Sequence, residues 1–321
     1  MDKDLRTGEK RAGTVLPALY APDKKTAERV LEFFAAKIRN KNTRKAYARA
    51  AGDFAAWCEG RGVKDLALVR TLHVAAYIEE LSKTVSAPSV KLKLAAIRML
   101  FDHLVVSQVV AVNPAASVKG PKHVVKKGKT PVLSAAEASE LLRAIDTSSL
   151  VGLRDRALIG TMVYTFARVG AVTRMRVEDV YLQGRRTWVR LHEKGGKRHE
   201  TPCHHNLEEY LEAYIAGAGI ATDGKGFLFR TAPGHAGELS SLPMAQQDVY
   251  RMIRRRAEDA GVRTKISCHS FRATGITEYL RNGGKLEVAQ QMANHESART
   301  TGLYDRRNDP ISLDEVERIL I

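Results

Sequence analysis

Apolar positions recur every three to four residues through most of the chain, so the pattern predicts a mainly helical protein. The first expected helix covers about 24–38, with Val30, Leu31, Phe34 and Ala35 on one stripe. A second follows Asn42 and Thr43 to about 59, with Tyr47, Ala51, Phe54, Trp57 and Cys58 as its apolar face. A third covers about 72–81, and a fourth starts near Pro88, a residue suited to a first helical turn, and ends near 105. Asn113-Pro114 then stops helical propagation.

Beyond 130 the pattern changes. Ser134 and Glu137 form a capping box ahead of a helix carrying Leu141, Leu142 and Ile145. The helix expected over 152–166 is apolar enough (Ala157, Leu158, Ile159, Met162, Val163) to require burial, and it delivers Arg168 just past its end. A short helix over 169–175 follows. Segments 187–192 and 198–202 read as strands, and the EKGGK segment between them predicts a hairpin with a glycine turn. A helix over 207–215, a short strand over 227–229 and a basic helix over 246–260 come next. One helix then carries His269 and Arg272, three residues apart and so on one face. Gly283-Gly284 ends it, a second covers 285–293 before His295, and a third turn presents Tyr304. Ser312 and Glu315 cap a terminal helix with Leu313, Val316, Ile319 and Leu320 on one side, a face that needs a partner surface.

The expected fold class is therefore mainly α with a small antiparallel β-sheet. Its divisions are a flexible tail (1–22), a helical domain (23–118), a basic linker (119–130), an α+β domain (131–311) and a C-terminal docking helix (312–321).

Charge narrows the partners. Fifty-two Lys and Arg against 36 Asp and Glu give a net charge of +16, which on a globular chain marks a polyanion, most often nucleic acid. The bases Arg39, Lys41, Arg44, Lys45 and Arg49, then Lys91 and Lys93, are candidates for DNA-backbone contact. Lys126 and Lys127 add to them from the linker, which holds five lysines and no acid. No apolar run approaches the ~20 residues needed to span a bilayer, and no lipidation motif is present, so no membrane is expected. The charged N-terminus has no secretory h-region, and three scattered cysteines read as reduced thiols, which together predict a cytoplasmic, nucleoid-associated protein.

Two further patterns are set aside. Gly219 to Lys225 approaches a phosphate loop, but Gly226 stands where a hydroxyl is required, and the helix-then-strand order is reversed. His192, His199, Cys203, His204 and His205 are dense, yet their spacing across a hairpin fits no zinc pattern, so no metal is expected.

Two imidazoles, a guanidinium pair and a phenol suit phosphoryl transfer with a tyrosine nucleophile. Such transfer needs a nucleophile, charge stabilisation on the non-bridging oxygens and a proton for the leaving oxygen. Arginine suits the second task through its planar fork, which makes Arg168 and Arg272 candidates. His269 and His295 can move protons near neutrality. Lys194, at the hairpin tip, can reach a minor groove or a leaving 5′-oxygen.

The order of these pieces resembles the tyrosine recombinases, or phage integrases. The resemblance runs from about Lys24 to Ile321 and is carried by TFARVGAVTRMRVEDV around Arg168, EKGGKRHETP with Lys194, HSFR, NHES and TTGLYDR. The four N-terminal helices look like that family's SAM-like core-binding domain, and the rest like its catalytic domain. The resemblance implies site-specific DNA strand exchange with neither metal nor ATP as cofactor, through a 3′-phosphotyrosyl intermediate on Tyr304. It implies that Arg168 and Arg272 grip the scissile phosphate, Lys194 protonates the 5′-oxygen, His269 assists proton transfer and His295 hydrogen-bonds the phosphate. Double-stranded DNA bearing recombination sites and a homotetramer on paired sites are the implied partners.

The chain departs from the family pattern twice. Ala171 replaces the usual acid three residues after the first arginine, and Ala293-Asn294 replaces Leu-Gly before the second histidine. Lys197 stands as the alternative acid to Lys194. Two rival functions share the fold: type IB topoisomerase-like relaxation, which a relaxation assay without specific sites distinguishes, and a non-catalytic DNA-binding regulator, which needs no nucleophile.

Overall fold

A computed structural model describes residues 16–124, 128–193, 196–233 and 237–305. The chain forms two compact units, which divide between Val124 and Val125.

The first unit is helical. α1 (Lys24–Glu32) starts where the Asp23 carboxylate accepts the Thr26 N–H at 2.9 Å. The expected helix does not continue unchanged to Ile38: Phe33–Lys37 widens into a π-helical segment. Val30 and Phe33, three residues apart, are buried, while Leu31 is 48% exposed. α2 (Lys41–Glu59) is capped by Asn40, and α3 (Thr71–Thr84) and α4 (Ala87–Val106) complete the unit. Phe54 of α2 sits at the centre, edge-on to Tyr77 at 5.2 Å and Phe101 at 6.4 Å. Arg98 donates to the carbonyls of Ala115 and Val118, and Asn113 donates to the Arg98 carbonyl. These bonds fold the segment after α4 back along it.

The second unit is built around α6 (Leu150–Tyr164), preceded by α5 (Ala135–Arg143), whose Ser134–Glu137 capping box is formed as expected. α6 is buried on nearly every side. Its one buried carboxylate, Asp155, accepts paired bonds from Arg154 and Arg256. α7 is shorter than expected, at Val169–Val172. The sheet has three antiparallel strands in sequence order: β1 (Val180–Gln183), β2 (Arg186–His192) and β3 (Arg198–Pro202). The periodicity missed β1, which has only four residues. The strand expected at 227–229 is reduced to isolated bridges, Arg176 with Phe227 and Arg230 with Pro243.

α8 (His205–Gly217) packs on α6, and α9 (Gln246–Asp259) lies against α7. Then come α10 (Cys268–Arg281), α11 (Leu286–Met292) and α12 (Ala298–Gly302). α10 crosses α6 at Gly275, where a Cβ would sit 2.2 Å from the Val163 carbonyl oxygen. Only a hydrogen permits that approach. Phe166, Ile276, Leu280, Ala289, Ala293 and Tyr304 form a small separate apolar cluster beside it. The segment entering the unit also reaches this cluster, with Val132 packed on it and the Gly128 N–H donating to the Leu303 carbonyl at 3.0 Å. The expected terminal helix, 312–321, and the expected tail to residue 15 lie outside the described residues. Among the described residues no helix is long and apolar enough to cross a membrane.

Candidate active site

Five of the six expected catalytic residues are described, and all belong to the second unit. α10 carries two of them on one face, since His269 and Arg272 lie one turn apart. Arg272 is 1% exposed, and its two terminal nitrogens donate to the carbonyls of Phe166 and Ala293. Both carbonyls come from irregular backbone. Phe166 has φ +55°, a left-handed conformation that costs a non-glycine residue about 1–2 kcal/mol. Asn294, next to Ala293, has φ +46°. This accounts for the second departure in the sequence: the turn demands a left-handed residue, and asparagine tolerates it better than other side chains with a Cβ. The Nε of Arg272 is buried without a hydrogen-bond partner among the described residues.

Tyr304 follows α12 directly and is 7% exposed. Its hydroxyl lies 2.8 Å from His269 Nε2. Its carbonyl accepts from Thr277 Oγ1 at 3.0 Å, and the His295 ring stacks parallel to it at 5.9 Å between centroids. His295 Nδ1 is 2.9 Å from Thr301 Oγ1, itself fully buried. The phenol is thus held at its hydroxyl by His269, on one face by His295 and at its backbone by Thr277.

Electrostatics separate the roles. Burial and then the positive charges of Arg272 and Arg168 lower the His269 pKa below 6.5, and the same causes with His269 added push His295 down to about 4. Both imidazoles are therefore neutral near pH 7. A neutral His269 with its proton on Nδ1 can accept a hydrogen bond from the Tyr304 hydroxyl at Nε2. Burial raises the Tyr304 pKa, while Arg272 and Arg168 pull it back down. Burial and the neighbouring Arg168 also bring Arg272 down to about 10, which leaves it charged at neutral pH.

Arg168 occupies the position before α7, with its side chain 41% exposed, and Nη1 donates to Glu193 at 2.8 Å. Glu193 was missed among the candidate residues, although it precedes Lys194 in the same motif. Its side chain is 4% exposed. Lys194 itself lies outside the described residues. Around it, the Glu193 N–H donates to the Lys197 carbonyl at 2.8 Å, and Gly196 takes φ +79°. The Lys197 ammonium is 2.9 Å from Glu296.

The basic residues of the first unit divide. Arg39, Lys41, Lys45, Arg49 and Lys91 are exposed. Arg44 instead caps the π-helical segment, donating to the Ile38 carbonyl at 3.0 and 2.8 Å, and Lys93 pairs with Asp53. Lys126 and Lys127 lie outside the described residues. Of the histidines near the hairpin, His192 pairs with Asp179 at 3.0 Å and His204 stacks on Tyr164 at 4.4 Å.

The phage integrase family model matches residues 131–310, and a model for the phage integrase N-terminal SAM-like domain matches 27–109. A tyrosine recombinase XerD from Corynebacterium glutamicum is 28% identical over 274 residues, covering 82% of this chain and 86% of that protein. Among solved structures, the XerH site-specific recombinase bound to its palindromic difH substrate after cleavage superposes with a TM-score of 0.70 at 17% identity, covering 95% of this chain and 91% of that one. A lambda integrase (75–356) dimer bound to a COC′ core site gives a TM-score of 0.67 at 19% identity, covering 88% and 95%. At such identities the structural likeness speaks for the fold, which is that of the tyrosine recombinases. The chain belongs to the phage integrase family.

Proposed function

We propose that this protein is a site-specific DNA recombinase that cuts and rejoins strands through Tyr304. The observation that carries the reading is the contact of the Tyr304 hydroxyl with a neutral His269, beside two arginines. The Tyr304 oxygen attacks the scissile phosphorus while its proton passes to His269 Nε2. Arg168 and Arg272 hold the non-bridging oxygens, and the Nε–H of Arg272, without a partner among the described residues, is a donor for one of them. The bond to the 5′-oxygen breaks, leaving a 3′-phosphotyrosyl link and a 5′-hydroxyl. Lys194 supplies the leaving oxygen's proton, with Lys197, whose ammonium meets Glu296 at the surface, as the alternative acid. His295 donates to the phosphate from Nε2 when Thr301 occupies Nδ1. Attack by a 5′-hydroxyl from a second duplex reverses the sequence and completes the exchange.

The partner is double-stranded DNA, contacted by exposed bases of the helical domain (23–118) and of the linker (119–130), with the catalytic domain (131–311) supplying the chemistry. A tetramer on paired sites, joined through the 312–321 helix, fits the need to synapse two duplexes, and a cytoplasmic, nucleoid-associated location fits the substrate.

Footprinting of the DNA flanking the gene identifies the bound site. On that site, rebuilt as a nicked duplex that traps the cleaved strand, Tyr304→Phe is expected to bind as the unaltered protein does and to form no denaturant-resistant adduct. An adduct from the Phe variant would overturn the nucleophile assignment.

A further inference from the structure

Arg168 must hold one orientation to serve a phosphate, yet it sits on a short connection between α6 and α7. Its neighbour Arg272 is packed between neutral carbonyls, and the two positive charges act on each other unfavourably. Glu193 is the carboxylate that acts on both: it bonds Arg168 at 2.8 Å and favours the charged form of Arg272. A carboxylate whose side chain is 4% exposed is costly to bury unless a cation meets it, so the pair is locked rather than transient. Two clefts, of about 480 and 560 Å³, meet at this pair. His269 lines the first and His295 the second, so Arg168 borders both clefts with one terminal nitrogen anchored by Glu193.

We propose that Glu193 is the positioning residue for Arg168, holding its guanidinium toward the scissile phosphate from the base of the β2–β3 hairpin. This rests on the recombinase reading above. Ala171, on α7, borders the 480 Å³ cleft that Arg168 and Glu193 also line, so a carboxylate at 171 is the alternative route to Arg168, from the helix. Because Glu193 immediately precedes Lys194, the hairpin route ties the grip on the phosphate to the element that carries the acid for the leaving oxygen. A carboxylate placed at 171 would hold Arg168 without that tie.

The test uses the full chain and the nicked duplex rebuilt from the footprinted site. Glu193→Gln keeps the shape and removes the charge. It is expected to slow adduct formation roughly ten- to a hundred-fold while site binding and thermal stability stay near those of the unaltered protein. Ala171→Glu added to Glu193→Gln is expected to recover most of that rate, an outcome a purely structural role for Glu193 would not give. Cleavage by Glu193→Gln at the unaltered rate would overturn the proposal, as would a loss that Ala171→Glu leaves unrepaired. Failure of the unaltered protein to form any adduct would instead count against the recombinase reading itself, so the two failures are distinguishable.

Discussion

His295 shows how far the site has been tuned for neutral imidazoles. Its folded pKa of about 4 lies below the ordinary 6.5, so between those values the unfolded chain binds a proton that the folded chain refuses. Stability is therefore full above about 6.5 and falls as pH drops toward 4, by up to about 3 kcal/mol on the scale of 1.4 kcal/mol per pKa unit. Thermal melts across that window are expected to show the slope, and His295→Asn to flatten it; equal slopes would mean that other groups govern the acid limb. His269 is shifted the same way, so the neutral form that the proposed proton transfer needs persists to pH values below 6.5.

The same scale shows what could be read from the residues. Arg168, His269, Arg272, His295 and Tyr304 were legible because each sits in a short motif at a helix edge. Glu193 was not, since a carboxylate beside a lysine looks like an ordinary hairpin charge until the fold brings Arg168 against it. Arg44 and Lys93, expected as DNA-facing bases, also have partners within the chain that their positions did not announce: one closes a π-helical end and the other meets Asp53.

Among the elements, α10 is the one whose position decides the chemistry, and Gly275 fixes that position. A methyl there would meet the Val163 carbonyl oxygen and the Phe166 ring, and Phe166 supplies a carbonyl to Arg272. Gly275→Ala is expected to cost about 1–3 kcal/mol in urea unfolding and to slow strand cleavage as well. Gly52, in the middle of α2, has open space around its Cβ, so Gly52→Ala is expected to stabilise by about 0.5–1 kcal/mol. Matching outcomes for the two would contradict the packing argument. Helical periodicity located nearly every helix, but at the first one it placed Leu31 on the apolar stripe, where the structure leaves it 48% exposed, and it did not foresee the π-helical segment over Phe33–Lys37. It also could not see a four-residue strand or distinguish an isolated bridge at Phe227 from a strand. Periodicity reports faces, and these elements are too short to have one.

For the whole molecule, charge sets the expectation. With a net charge of +16, site affinity should fall steeply and linearly on logarithmic axes as salt rises, and a flat response would argue against phosphate contacts. Removal of 312–321 is expected to impair synapsis of two sites far more than binding to one half-site, measured by gel shift on single and paired sites; equal losses would exclude a docking role for that segment. Two units were legible from the change in patterning and the lysine-rich stretch between them. The segment's contact with the nucleophile's own backbone was not legible, because nothing in a run of Lys, Gly and Val specifies what it lies against.

That contact has a consequence for how substitutions distribute along the chain. Segments between domains ordinarily accept almost any residue. At Gly128 a Cβ would fall 2.5 Å from the Leu303 carbonyl oxygen, one peptide unit from Tyr304. In a saturation library selected for recombination, position 128 should stand out as intolerant inside a permissive stretch, recording in its sequence profile a constraint that belongs to Tyr304, the proposed nucleophile.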